Sequence, residues 1–437
     1  MLFLQNLYGL AQMSKLPVRN FKWMKESKIA SIDWKNIKTE GSKGYILEVD
    51  LSYPAKYHEE HSDFPLAPEN VEVDFDQLSS YMKEVLVNLE KKSRYKDRKL
   101  VGTFHNRVKY VTHFKNLKLY LQLGMKLKKI HRVLKFRQEA FIAPFIEKCT
   151  QLRQSSKTKF EQDQYKKVAN CVYGKTIQNS RNYIEVRLHT RKMGLLNAVS
   201  DFTYKNFSII SNSLVQTNHF PSKIEHKRPI YVGFTILELS KHFMFDFFYN
   251  VLKKNLPCNL ELGMSDTDSF LFKVDNSKKF RRHIKNYMDY SNYPPSHKFY
   301  SSLNKSRLGL FKDELAGRQI CREFVGLKSK CYAMLLENVE DGSLDSKKVC
   351  KGLGRVAINN RLKYQHYREC LFKGIPKRFD FHVIRSKTHR LSTARIMKKA
   401  ISHFDSKRWI FHCGIHSEPY GSIFIKSKRS LYCPKCL

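Results

Sequence analysis

The period of the apolar residues changes along the chain, and each change marks an element. Tyr45–Leu51 (YILEVDL) alternates apolar and polar, which predicts a strand. It runs into a Pro-punctuated loop, YPAKYHEEHSDFPLAPE. Tyr110 to Phe160 reads as mainly helical, centred on KNLKLYLQLGMKLKKIHRVLKF, although Leu117, Leu119, Tyr120, Leu123, Met125 and Leu127 form no clean stripe. Lys157–Asn179 predicts another helix, on which residues 166, 170, 173 and 177 recur three or four apart and share a face. Tyr231–Leu252 is the most apolar stretch and predicts a buried helix ending before Pro257, despite Glu238, Lys241 and Asp246. NLELGMSDTDSFLFKV then reads as a strand, a short acidic turn and a second strand. Beyond residue 320 the chain is basic and mixed, with helical signals over Ile358–Leu371 and short elements toward the closing CPKCL.

Charge alters this picture most. Lys and Arg number 80 against 40 Asp and Glu, a formal charge of +40. A folded chain this basic points to a polyanion, nucleic acid first, with solvated lysine faces as the plain alternative. Hydrophobic residues at 42% can fill a sizeable core, which excludes a wholly disordered chain. The 437 residues are enough for two or three domains. Ten scattered cysteines are too sparse for a disulfide scaffold and read as reduced thiols of an intracellular protein. No apolar run reaches the roughly 18 residues of a membrane span. The opening MLFLQNLYGLAQM is apolar but lacks the positive n-region and A-x-A site of a signal peptide.

Two places carry candidate chemistry. Asp266-Thr267-Asp268 lies between apolar runs, and carboxylates at i and i+2 of an extended segment project to one side. Such a pair is a hard-oxygen site suited to Mg²⁺ and phosphoryl transfer, or else an ordinary Asp-rich hairpin turn. On the helix face, Lys166 can neutralise a nucleotide phosphate, Tyr173 can stack on a base or sugar, and Gly174 lets a flat base pair approach. Asn170 completes that face, which could equally belong to an amphipathic core helix carrying a glycine.

Together these segments resemble family B DNA polymerases. KKVANCVYGKT is similar to the fingers motif K-x-x-x-N-S-x-Y-G, with Cys171 where Ser is usual. GMSDTDS is similar to the palm motif Y-x-D-T-D-S, with Met264 where Tyr is usual. FEQDQYKKVANCVYGKTIQNSRN, LYLQLGMKLKKIHRVLKF, SYPAKYHEEHSDFPLAPEN, REFVGLKSKCYAM and FDSKRWI resemble blocks of the protein-primed branch of Polinton/Maverick-type transposons and related viruses. They follow that branch's order across nearly the whole chain.

The resemblance implies an α/β (α+β) right-hand polymerase: palm over residues 1–100 and 186–325, fingers over 101–185, thumb over 326–437. It implies Asp266 and Asp268 as catalytic, metal-binding carboxylates, with Asp268 the more direct ligand. Tyr8, Lys166, Asn170, Tyr173 and Gly174 would contact the incoming nucleotide, and Lys330 and Tyr332, from a K-x-Y motif, would steady the primer terminus. Mg²⁺ in a two-ion site, primer-template DNA, dNTPs and a terminal protein primer are the implied partners, with a nuclear setting and no membrane.

The chain also departs from the family. The branch's motif D-x-N-N-L-Y-G matches Asn6-Leu7-Tyr8-Gly9, but Phe3 stands where the third metal-binding Asp belongs. Phe offers no ligand oxygen to a hard cation. Three readings follow: a polymerase by descent crippled at Phe3, a working enzyme that draws its third ligand from Asp50 or Glu48, and a non-catalytic basic DNA-binding remnant. Asp50 in VDLSYP mimics the motif with the wrong spacing. The exonuclease that the family places before this motif is expected to be absent, and the chain to be a truncated polymerase half. Cys413-x-x-His416 and Cys433-x-x-Cys436 have zinc-ligand spacing. Under the resemblance the first pair falls in a block that is not a metal site, and the second lies outside the pattern.

Overall fold

The computed structural model describes residues 1–89, 95–387, 390–426, Cys433 and Cys436, so of CPKCL only the two cysteines. The chain is 32% helical and 33% strand, a mixed composition that agrees with the expected α/β class.

An antiparallel four-stranded sheet organises the largest core, in the order Leu260–Asp266, Ser269–Val274, Leu2–Leu4, Phe311–Asp313. Side chains alternate across a strand, so each strand feeds two layers. Leu2, Leu4, Phe270 and Phe311 face one core with Phe247 and Phe248. Met264 and Leu271 face a second cluster containing Tyr332, Met334 and Leu336. The opening residues are thus part of the core. After Leu4 the chain turns at Asn6, which takes a left-handed φ of 50° and caps the helix Leu7–Met13 by accepting from the Gly9 N–H at 3.2 Å. A Cβ at Gly9 would lie 2.2 Å from Asn6 Nδ2, so only glycine fits beneath the cap.

The helix expected over Lys157–Asn179 forms as Lys159–Thr176. Thr158 and Glu161 close a reciprocal capping box at its start. Its Ala169 packs with Ile146, Val232, Ile236 and Ala11, joining three other helices. The buried helix forms as Ile230–Asp246 and runs on as a π-helical segment, Phe247–Lys253. Glu238 is 1% exposed and is saturated by Thr112 Oγ1 (2.8 Å), the His113 N–H (3.1 Å), Asn116 Nδ2 (3.0 Å) and Lys241 Nζ (2.6 Å). This carboxylate fastens the helix to a second four-stranded sheet, ordered Leu16–Trp23, Lys126–Glu139, Lys43–Ser52, Arg107–His113.

That second sheet corrects the helical reading of Tyr110–Phe160. Phe114–Gln122 and Ala143–Ser155 are helical there, with the start of Lys159–Thr176. Lys126–Glu139 is a 14-residue strand paired on both sides, to Lys43–Ser52 and to Leu16–Trp23. Pairing with segments distant in sequence overrides its local, lysine-rich helical propensity. Lys43–Ser52 itself is the strand expected at Tyr45–Leu51. The single helix signalled over Ile358–Leu371 is two, Arg355–Arg361 and Tyr364–Phe372. They are broken by Leu362, which goes extended and buries in the neighbouring core.

Further along lie a sheet of Gln319–Lys328, Cys331–Asn338 and Leu344–Cys350, a long hairpin of Lys377–Lys387 with Arg390–Ile401, and a short hairpin of Trp409–Ile410 with Ser417–Glu418. Among the described residues no helix is long and apolar enough to cross a membrane.

Candidate active site

The acidic turn is a two-residue hairpin loop. Asp266 pairs with Ser269, leaving Thr267 and Asp268 at the tip. The Asp268 N–H closes onto the Asp266 carbonyl at 2.6 Å around Thr267, whose φ is 57°. A β-branched residue in the left-handed region is strained, and such strain collects at functional sites. Asp268 is half-buried, and its carboxyl is pushed up to about 6. Burial is the main cause, and the Asp266 and Glu314 charges add to it, while its own backbone hydrogen bond and Lys166 pull the other way. Three carboxylates within electrostatic reach, with negative charge that burial makes costly, fit a hard divalent cation.

The other expected residues converge here from separate segments. Lys330 sits at φ 58° in the turn between Gln319–Lys328 and Cys331–Asn338. Its Nζ donates to both oxygens of Asp266, at 2.6 and 2.8 Å. Tyr332, buried two residues further on, feels the Glu314 and Asp266 charges, and its hydroxyl is pushed up to about 12, mainly by burial. Tyr8 stacks on Tyr173 with centroids 4.7 Å apart and planes 13° apart. Burial raises both hydroxyls, and Asp268 raises Tyr8 further. Lys166 is exposed and acts on Asp268; it lines a depression with Gln5, Asn6 and Arg153. Asn170 Oδ1 is buried without a hydrogen bond, and no atom lies within 4 Å of a Cβ built on Gly174. That helix face is therefore open where a flat ligand would lie.

Phe3 belongs to the same constellation. It pairs with Ser269, which pairs with Asp266, so Phe3, Ser269 and Asp266 stand in one row on one face of the sheet. The position from which the family resemblance expects a third carboxylate is therefore aligned with the acidic turn and holds a phenyl ring.

Among solved structures the chain resembles phi29 DNA polymerase complexed with primer-template DNA and incoming nucleotide, over 92% of its length, with TM-score 0.54 and 13% identity. Phi29 DNA polymerase is a protein-primed family B polymerase, and the likeness to it is one of fold. The orthorhombic crystal form of phi29 polymerase gives TM-score 0.52 at 14% identity over 92% of the chain. Its binary complex with primer-template DNA gives 0.51 at 13% over 91%. The chain spans 57% of the length of each of these phi29 polymerase chains. No protein-family model matches the sequence, and no curated protein matches it.

Within this phi29-like fold, Asp50 and Glu48 lie on the second sheet, apart from the strands of the acidic turn. Asp50 accepts from the Lys109 N–H at 2.8 Å and faces His131 Nε2 at 2.8 Å; these hold its carboxyl below the usual range. Glu48 is held down by Arg132 at 2.7 Å. Both are engaged by groups of their own sheet. The carboxylate that sequence reasoning missed is Glu314, whose N–H donates to the Met1 carbonyl at 3.0 Å beside the central sheet and whose side chain pairs with Lys347. Nothing in KDEL marks it; only the folded sheet carries it to Asp268. Arg153, a second cation in the Lys166 depression, was equally silent among the many basic residues.

Proposed function

We propose that this chain carries the synthetic core of a DNA-directed DNA polymerase of the protein-primed family B type, a nucleotidyltransferase that extends a primer on a DNA template. Its own catalytic output is low because Phe3 replaces a ligand carboxylate. The observation that carries the reading is the convergence of Tyr8, Lys166, Tyr173, Asp266, Asp268 and Lys330, from segments hundreds of residues apart, in a phi29-like fold.

Asp266 and Asp268, with Glu314 in reach, would hold Mg²⁺, which when bound supplies charge stabilisation at a phosphoryl centre. Lys166 and Arg153 bind the triphosphate as fixed positive charges. Tyr8 and Tyr173 form an aromatic floor under the sugar and the nascent base pair, and Gly174 leaves the space above it clear. Lys330 holds Asp266 in place until the primer terminus arrives and then shares its charge with the terminal phosphate. In this reading the central sheet with its acidic turn is the palm, Lys159–Thr176 lies in the fingers, and the segments beyond 326 form the thumb. Priming by a terminal protein and a nuclear, transposon-type setting rest on the sequence resemblance. A second reading, a basic DNA-binding remnant without synthesis, is favoured by Phe3 and by the Lys330–Asp266 pair that already neutralises one carboxylate.

The test is stabilisation of a primer-template complex by the next complementary dNTP. The chain is expected to show it, and Lys166→Ala and Tyr173→Ala to lose it while keeping DNA affinity. Equal loss of DNA and dNTP affinity in both variants would remove these residues from the nucleotide face.

A further inference from the structure

A second cluster of metal-ligating side chains lies outside the acidic site. The turn of the hairpin Trp409–Ile410/Ser417–Glu418 carries Cys413 and His416. Cys433 and Cys436 come up to it from further along the chain. His416 Nδ1 has three sulfurs around it, Cys433 Sγ at 3.2 Å, Cys436 Sγ at 3.4 Å and Cys413 Sγ at 3.6 Å. All four ligand atoms lie within 4.8 Å of one another. One ring nitrogen can share a proton with only one of three thiols, so hydrogen bonding alone does not explain the convergence. Around a tetrahedral zinc with Zn–S near 2.3 Å and Zn–N near 2.0 Å, sulfur and nitrogen stand about 3.5 Å apart, which these distances match.

The platform is built to hold such a cluster. The His416 N–H donates to Cys413 Sγ at 3.4 Å, the amide-to-sulfur bond that a thiolate would strengthen. The Phe411 N–H meets the His416 carbonyl at 3.1 Å, and the Gly414 N–H meets the Phe411 carbonyl at 2.9 Å, closing a tight turn at Gly414 φ 71°. Beneath it Arg408 clamps the hairpin, donating to Ser417 Oγ at 2.8 Å and to the Ser62 carbonyl at 2.8 Å. Cys433 is buried, and the Cys436 N–H donates to its carbonyl at 3.1 Å.

We propose that Cys413, His416, Cys433 and Cys436 form a Cys₃His zinc site. Three soft sulfurs and an imidazole, with no carboxylate among them, favour zinc over magnesium or calcium. Four protein donors leave no open position for water, so the site is structural. It ties Cys433 and Cys436 to the hairpin and through Arg408 to Ser62. Binding converts thiols to thiolates and releases their protons, so affinity rises with pH.

The test uses the full chain purified reduced from zinc-supplemented growth. Native mass spectrometry is expected to find about one zinc per chain. Cys436→Ser, at an exposed position, is expected to lose zinc to a chelator at least about tenfold more readily, and Cys258→Ser to behave as the parent. Cobalt exchanged into the parent should give the intense visible bands of a tetrahedral thiolate site, absent in Cys436→Ser. A parent chain that binds neither metal, a disulfide within Cys413, Cys433 and Cys436 in the freshly purified protein, or full zinc retention by Cys436→Ser would each overturn the proposal.

Discussion

Asp268→Asn should make the protein more stable at neutral pH while removing the carboxylate proposed as the more direct metal ligand. The folded chain raises the Asp268 carboxyl to about 6 from an ordinary 3.8, chiefly by burial. Between those values the folded state holds a proton that the unfolded state has released. Stability from this group is therefore fully present below 3.8 and is lost as pH rises through 6. At about 1.4 kcal/mol per pH unit the gap amounts to about 3 kcal/mol of cost at pH 7.5. Part of the carboxyl is open to solvent, whose screening reduces this to about 1–2 kcal/mol. Asn keeps the shape and drops the charge. For 437 residues unfolding with an entropy near 2.1 cal/mol/K each, that gain is a rise in Tm of about 1–2 °C. Thermal melts of both chains at pH 7.5 and pH 4 form the assay. The difference should be present at pH 7.5 and gone near pH 4, and Mg²⁺ should narrow it by stabilising only the parent. A gain of equal size at both pH values, or a less stable variant at pH 7.5, would refute the electrostatic account of this turn.

Two further outcomes follow from the same geometry. Glu238→Ala strands Thr112, the His113 N–H, Asn116 and Lys241 in a buried site and should cost roughly 3–5 kcal/mol in urea denaturation, with Glu238→Gln milder. Affinity for primed DNA of random sequence should fall steeply with salt, by about a thousandfold or more between 50 and 200 mM if six or more phosphates are neutralised; a flat salt titration would show that the +40 charge is not used on a polyanion.

What the sequence revealed was local. The helix Lys159–Thr176 announced itself through spacing and its Thr158–Glu161 cap, and the acidic turn through two carboxylates between apolar runs. Both need only near neighbours. The strand Lys126–Glu139 stayed hidden because its partners lie 74 to 123 residues away (Ser52↔Lys126, Leu16↔Glu139), and no local period encodes that pairing. The break at Leu362 depends on a core that only tertiary packing creates. Within the site, the motifs named Lys330, Tyr8 and Tyr173 but not their contacts. The Lys330–Asp266 pair crosses 64 residues, and the Tyr8–Tyr173 stack joins two helices that meet only in the fold. Glu314 carries no sequence signature at all and enters through its charge on Asp268.

The reading of Phe3 bears on whether the chain synthesises DNA. Its row with Ser269 and Asp266 makes the substitution directly testable, because an Asp there would face the acidic turn from a second strand. In-line transfer needs oxygens from more than one direction around the metal ions, and a misplacement near 1 Å can cost about a hundredfold in rate. Primer extension with Mg²⁺ or Mn²⁺ should therefore be measured for the parent chain, Phe3→Asp and the background control Asp268→Asn. The account expects the parent near the control and Phe3→Asp well above it; a parent that extends primers far above Asp268→Asn, and loses that activity on Asp50→Asn, would contradict it.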